Sequence, residues 1–123
     1  MTTINEMADA IHATARAKGW HEAAIETPDG VLNVDRVAAW IALAHAELSE
    51  ALEDLRTAVT LADVQEIGYE PNGKPCGFPV ELADTMIRIM DTARALDIDI
   101  QRAIEIKAEY NRTRPRRHGG KSL

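Results

Sequence analysis

The run from about Val34 to Val59 constrains the fold of this chain more than any other stretch. It contains no glycine or proline, and Val37, Ile41, Ala44, Leu48, Ala51 or Leu52, Leu55 and Val59 recur in alternating steps of four and three. An α-helix brings such a repeat onto one face, and the four-three alternation is that of a bundle or coiled-coil seam. With 123 residues the chain has the length of one domain, with room for a core. Apolar residues make up 46% of it, supplied mostly by Ala, Leu and Ile, and aromatics only 4%, which favours helix packing over a β-sandwich. The expectation is an all-α fold, four-helix bundle-like, with residues 1–123 as a single domain.

Three more helices are predicted. The first runs from about Ile4 to Lys18, with Ile4, Met7, Ala8, Ile11 and Ala15 as its apolar stripe and Gly19 as its stop. Trp20 to Asn33 form a connection holding the turn Thr27-Pro28-Asp29-Gly30, in which Trp20 and His21 are expected to pack rather than to bind a ligand. Pro79 suits a first helical turn, and Val80 to Leu96 follow it. Ala83, Met86, Ile87, Met90 and Ala93 lie on one side of that helix, and Glu81, Asp84, Arg88 and Asp91 on the other. Asp97 stands at the usual glycine position of a helix end, and Asp99 can cap a fourth helix from Ile100 to about Arg112. The apolar stripe of Ile100 and Ile104 continues there into Lys107 and Asn111, so a cation and an amide are expected to point toward the bundle. Between Thr60 and Phe78 the helical pattern is broken by Gly68, Pro71, Asn72-Gly73, Pro75 and Gly77. A connection of that length is expected either to act as a lid, with Lys74 near a bound anion, or to lack order.

The long helix carries Glu47 and Glu50 three residues apart, so both project from adjacent turns of one face. A lone pair of this kind is most often a solvated acidic face. The second pair, Glu81 and Asp84, has the same spacing on another helix, so two helices side by side can aim four carboxylates at one place. An all-carboxylate set prefers a hard ion, Mg²⁺ or alternatively Mn²⁺. A di-iron bundle needs Glu-x-x-His on two helices, which is lacking here, and the single Cys76 excludes an internal disulfide and a cysteine-based zinc site. Mg²⁺ held by few protein oxygens takes phosphate oxygens as further ligands, which makes a polyphosphate the natural substrate. Neither GxxxxGK[ST] nor GxGxxG occurs.

Charge is distributed unevenly. Arg112, Arg114, Arg116, Arg117 and Lys121 form a basic tail, residues 112–123, leaving nine basic against twenty acidic residues in the body. Such a body repels nucleic acid. No apolar run reaches the length of a membrane span, so a cytoplasmic protein without a membrane partner is expected.

Four segments in this order resemble the MazG-like, all-α nucleotide pyrophosphohydrolases. They are His45-Ala46-Glu47-Leu48-Ser49-Glu50-Ala51-Leu52-Glu53, Gly77-Phe78-Pro79-Val80-Glu81-Leu82-Ala83-Asp84, Lys107-Ala108-Glu109-Tyr110-Asn111 and Arg114-Pro115-Arg116-Arg117-His118-Gly119-Gly120-Lys121. The resemblance implies a Mg²⁺-dependent enzyme that hydrolyses a nucleoside or deoxynucleoside triphosphate to the monophosphate and pyrophosphate, as nucleotide-pool cleaning. It implies Glu47, Glu50, Glu81 and Asp84 as metal ligands and Lys107, Asn111, Arg114, His118 and Lys121 as substrate contacts, while a carboxylate not fully engaged by metal, with Glu50 preferred, is expected to act as the general base. It also implies a homo-oligomer, dimer or tetramer. The gap between Glu50 and Glu81 is at the long end for this family. Trp40, His45, Asn111 and Tyr69 are candidates for reading the base. The alternative from another class is a catalytically silent helical module that binds nucleotide or a partner protein and uses its acids for solubility.

Overall fold

The computed structural model describes residues Met1–Leu123. In chain order the elements are α1 (Ile4–Ala17), α2 (Val34–Arg56), α3 (Leu61–Gln65), β1 (Gly68–Tyr69), β2 (Pro75–Cys76), α4 (Phe78–Ala95), α5 (Ile100–Thr113) and α6 (Arg117–Gly120). The fold is therefore all-α apart from one two-stranded hairpin. No helix is long and apolar enough to cross a membrane.

Local chemistry accounts for the helix ends. Thr3 and Glu6 close a capping box on α1, the Asn33 side chain accepts from the Arg36 N–H at 3.1 Å, and Asp99 Oδ1 accepts from the Arg102 N–H at 3.0 Å. Asp97 takes the left-handed conformation, φ 56°, that ends α4 and turns the chain into α5. The Thr60–Phe78 connection is ordered, contrary to the option of a structureless stretch. Thr60 and Asp63 cap α3, and Gly68↔Cys76 and Tyr69↔Pro75 pair antiparallel around the Asn72-Gly73 turn. The tail ends in α6, a single turn on left-handed backbone, with φ 53° at Arg117 and His118 and 97° at Gly119 and Gly120.

α4 is the central helix, flanked by α2 and α1. Glu81 lies against Glu50 and Asp54, Arg88 against Glu47, and Asp91 beside Trp40, so α2 and α4 run in opposite directions. α5 is fastened at its start. Asn5 Nδ2 donates to Asp99 Oδ1 at 2.8 Å and Asn5 Oδ1 accepts from the Gln101 N–H at 3.1 Å, while the rest of α5 has no buried residue.

The inward faces match the expected ones in part, since Ala44 and Ala51 of the α2 stripe and Met90 and Ala93 of the α4 apolar side are buried. α2 presents Trp40, Ala44, Glu47, Ala51 and Asp54 to the interior, and its seam residues Ile41, Leu48, Leu52 and Leu55 are exposed, Leu52 at 60%. On α4 the polar stripe Glu81, Asp84 and Arg88 is part-buried, while Leu82, Met86 and Ile87 are exposed. Glu47 accordingly sits inside the α2–α4 contact, because the small Ala44 and Ala51 are what lets the two helices approach there. Lys107 also departs from expectation. It is exposed, with its ammonium over the Tyr110 ring at 4.8 Å, because α5 has no neighbour along that stretch.

Only Ala8, Ala44, Ala51, Thr85, Met90 and Ala93 are buried, and the chain exposes 9398 Å². A compact monomer of 13.5 kDa exposes about 6,500 Å².

Gly77 positions the start of α4, and with it Glu81. Its φ is 109°, and a Cβ there would lie 2.8 Å from the Glu66 carbonyl oxygen. Gly77→Ala should lower stability by about 1–3 kcal/mol in urea titration. An unchanged midpoint would show that the hairpin yields at no cost.

Candidate metal centre

The α2–α4 contact contains the acids. Oxygens of Glu47, Glu50 and Glu81 lie within 4.8 Å of one another. Glu47, 14% exposed, accepts from Arg88 Nε at 2.7 Å through Oε1, which leaves its second oxygen free of that bond. Glu81 Oε2 and Asp54 Oδ2 are out of contact with water and have no hydrogen-bond partner. Thr85, one residue past Asp84, uses its hydroxyl to donate to the Glu81 carbonyl at 3.0 Å, keeping a polar side chain satisfied inside the helix pair.

Charge crowding shows in the proton affinities. Burial pushes the Glu81 carboxyl up to about 7, aided by its hydrogen bond to Glu50 and by the negative charges of Glu50, Asp84 and Asp54. Asp84 is also raised, first by burial and then by Glu47, against the opposing pull of Arg88 and Lys74. Two unpartnered carboxylate oxygens and two carboxyls that resist ionisation mark a place where a cation would be stabilised. Hard oxygen donors alone converge here, so the residues fit a divalent ion of the Mg²⁺ class.

A cleft of about 820 Å³ opens beside the acids. Glu47, Asp84 and Arg88 line one part, Leu43, Ile87 and Trp40 supply apolar wall, and Trp20, His21, Lys18 and Asp91 line the rest. That volume suits a nucleotide-sized ligand, with a few polar groups set in a mostly apolar surface.

Of the sequence-predicted ligands, Glu47, Glu50 and Glu81 are brought together from two helices, and Asp84 lies outside that group but near enough to feel the charges of Glu47 and Glu50. Lys107, Asn111, Arg114, His118 and Lys121 are not among the residues lining the cleft, and none bonds to these carboxylates. Arg114 instead lies over the Tyr110 ring at 5.5 Å. Of the candidates for reading a base, Trp40 lines the cleft, whereas His45, Asn111 and Tyr69 do not. His21, expected merely to pack, does line it.

Sequence reasoning missed Asp54, Arg88 and the pair His12 and Asp91. Asp54 was findable, because it stands four residues after Glu50 on the same helix and one turn further toward Glu81. Arg88, four residues after Asp84, was legible as a member of the polar stripe but not as the partner of Glu47. His12 and Asp91 meet across a separation that no local pattern records.

Comparison of the chain with known protein families, with curated proteins and with solved structures finds no match.

Proposed function

We propose that this protein is a Mg²⁺-dependent nucleoside triphosphate pyrophosphohydrolase acting on the α–β phosphoanhydride. The observation that carries the reading is the convergence of Glu47, Glu50 and Glu81, with Asp84 and Asp54 beside them, next to a cleft of nucleotide size that Glu47 and Asp84 line. The four motif segments that resemble the MazG-like enzymes support the same reading. Glu47, Glu50, Glu81 and Asp84 would hold the ion, which supplies charge neutralisation for the phosphates and acidifies water. Arg88 holds Glu47 in place from α4. Glu50, the exposed carboxylate of the set, takes the proton of the attacking water. Water oxygen bonds to the α-phosphorus, the bond from that phosphorus to the α–β bridging oxygen breaks, and pyrophosphate leaves. The apolar cleft wall at Trp40, Leu43 and Ile87 receives the base.

Self-association belongs to this reading. The excess of exposed surface and the outward Ile41, Leu48, Leu52 and Leu55 stripe leave a single copy without a core, and a second copy supplies one by completing a helical bundle. Lys107, Asn111, Arg114, His118 and Lys121 lie outside the cleft of their own chain, so as phosphate contacts they act on the site of a neighbouring copy.

Pyrophosphate release should be measured over the common NTPs and dNTPs with Mg²⁺ and with Mn²⁺, with nucleotide products identified. Monophosphate and pyrophosphate are expected, with loss in Glu50→Gln and in Asp84→Asn. Absence of release with every nucleotide would favour the silent module, and full activity in both variants would remove these residues from the site.

A further inference from the structure

A second group of donor atoms lies away from the carboxylate cluster, with His21 and Asp91 on the lining of the same cleft and His12 bonded to Asp91. We propose that His12, His21 and Asp91 form a binding site for one divalent transition-metal ion of the Zn²⁺ class, separate from the acidic centre and independent of the hydrolase reading. His12 Nδ1 lies 2.7 Å from Asp91 Oδ1, and His21 Nε2 lies 2.9 Å and 2.8 Å from the two oxygens of the same carboxylate. The three groups come from α1, from the connection after it and from α4, so the fold as a whole, not a local turn, assembles them.

Two imidazole nitrogens with one carboxylate make a borderline-soft set, which selects Zn²⁺ and its neighbours over Mg²⁺, whereas the oxygen-only cluster selects the reverse. Tetrahedral bonds of about 2.0–2.2 Å to a common ion space the donors roughly 3.3–3.6 Å apart, about half an ångström or somewhat more beyond the present hydrogen bonds. The rings are already aimed. His21 is held edge-on between His12, at 4.7 Å between centroids, and Trp40, at 5.3 Å. Coordination through Nδ1 of His12 and Nε2 of His21 moves each ring proton to its other nitrogen, so a neutral imidazole remains neutral. The side chains of His12, His21 and Asp91 are 18%, 9% and 21% exposed. His21 and Asp91 line the cleft, which leaves a further coordination position for water or for an anionic ligand group.

The competing account is a carboxylate that merely clamps two histidines. Co²⁺, a spectroscopic stand-in for Zn²⁺, separates the two. The full-length protein should bind Co²⁺ with visible ligand-field absorption, be displaced by equimolar Zn²⁺, and resist millimolar Mg²⁺. His12→Gln and Asp91→Asn should each weaken binding by more than about tenfold, since loss of a direct ligand exceeds the loss of a supporting bond. Glu81→Gln should leave it unchanged. The chain has four histidines, and in the unaltered protein Co²⁺ should shift or broaden the ring proton resonances of His12 and His21 but not of His45 and His118. That measurement holds even if the variants fail to fold. Absence of absorption in the unaltered protein, binding that follows Glu81→Gln, or perturbation of His45 or His118 in place of the other two would each overturn the site.

Discussion

Glu81→Gln should remove metal-dependent hydrolysis and, in the same protein freed of metal, raise the melting temperature at pH 8. The two effects have one cause. Glu81 is pushed up to about 7 in the folded chain from an ordinary value of 4.5, by burial and by the carboxylates around it. Between those two values the folded state holds more protons than the unfolded state, so stability falls as pH rises, with a slope of at most about 1.4 kcal/mol per pH unit. Above pH 7 the full penalty is present. Glutamine carries no charge at any pH, so the variant escapes that penalty. At pH 5 and below, where Glu81 is protonated in the folded state, the two proteins should melt alike. For a chain of this size about 1 kcal/mol moves the midpoint by roughly 4 °C. Mg²⁺ should reverse the order at pH 8, because an ion that binds the folded protein stabilises it by mass action and the variant lacks one of its ligands. Activity should drop by more than about 100-fold. Calorimetric melts at pH 5 and pH 8, with and without Mg²⁺, check this directly. A lower melting temperature for the metal-free variant at pH 8 would mean that Glu81 is satisfied in a way its unpartnered Oε2 does not show.

Leu52→Asp should abolish self-association and unfold most of the protein at concentrations where the unaltered chain is folded. Leu52 lies in the middle of the exposed Ile41, Leu48, Leu52 and Leu55 stripe, on the side of α2 turned away from α4. Burying such a leucine against a second copy and then removing it costs roughly 2–5 kcal/mol per site, and a two-fold interface counts the site twice. A chain with six buried residues has too little core to survive alone, so association and folding are lost together. Glu53→Ala, one position away, removes an exposed bond to Arg56 and should change neither property measurably. Sedimentation and melting over a wide concentration range provide the readout. A Leu52→Asp protein that is monomeric and melts cooperatively at the original temperature would sink the idea, as would a midpoint for the unaltered chain that ignores concentration.

The sequence alone determined what depends on neighbours along the chain. The absence of glycine and proline from Val34 to Val59 settles α2, Asp99 starts α5 because its carboxylate can reach the Arg102 N–H, and the spacing of Glu47 with Glu50 and of Glu81 with Asp84 puts each pair on one helix face. Tertiary structure decided which faces meet. Periodicity reports that Ala44, Leu48, Ala51, Leu52 and Leu55 share a stripe, but it cannot say that α4 packs along the Ala44 and Ala51 edge of it and leaves Leu48, Leu52 and Leu55 exposed. The small residues Ala44 and Ala51 let α4 approach along that edge, and that approach encloses Glu47 against Arg88 and raises the proton affinity of Glu81. The meeting of His12 with Asp91, 79 residues apart, is likewise invisible to local pattern, because it follows from α1 and the chain after it lying along α4, and helix packing carries no sequence signature at that distance.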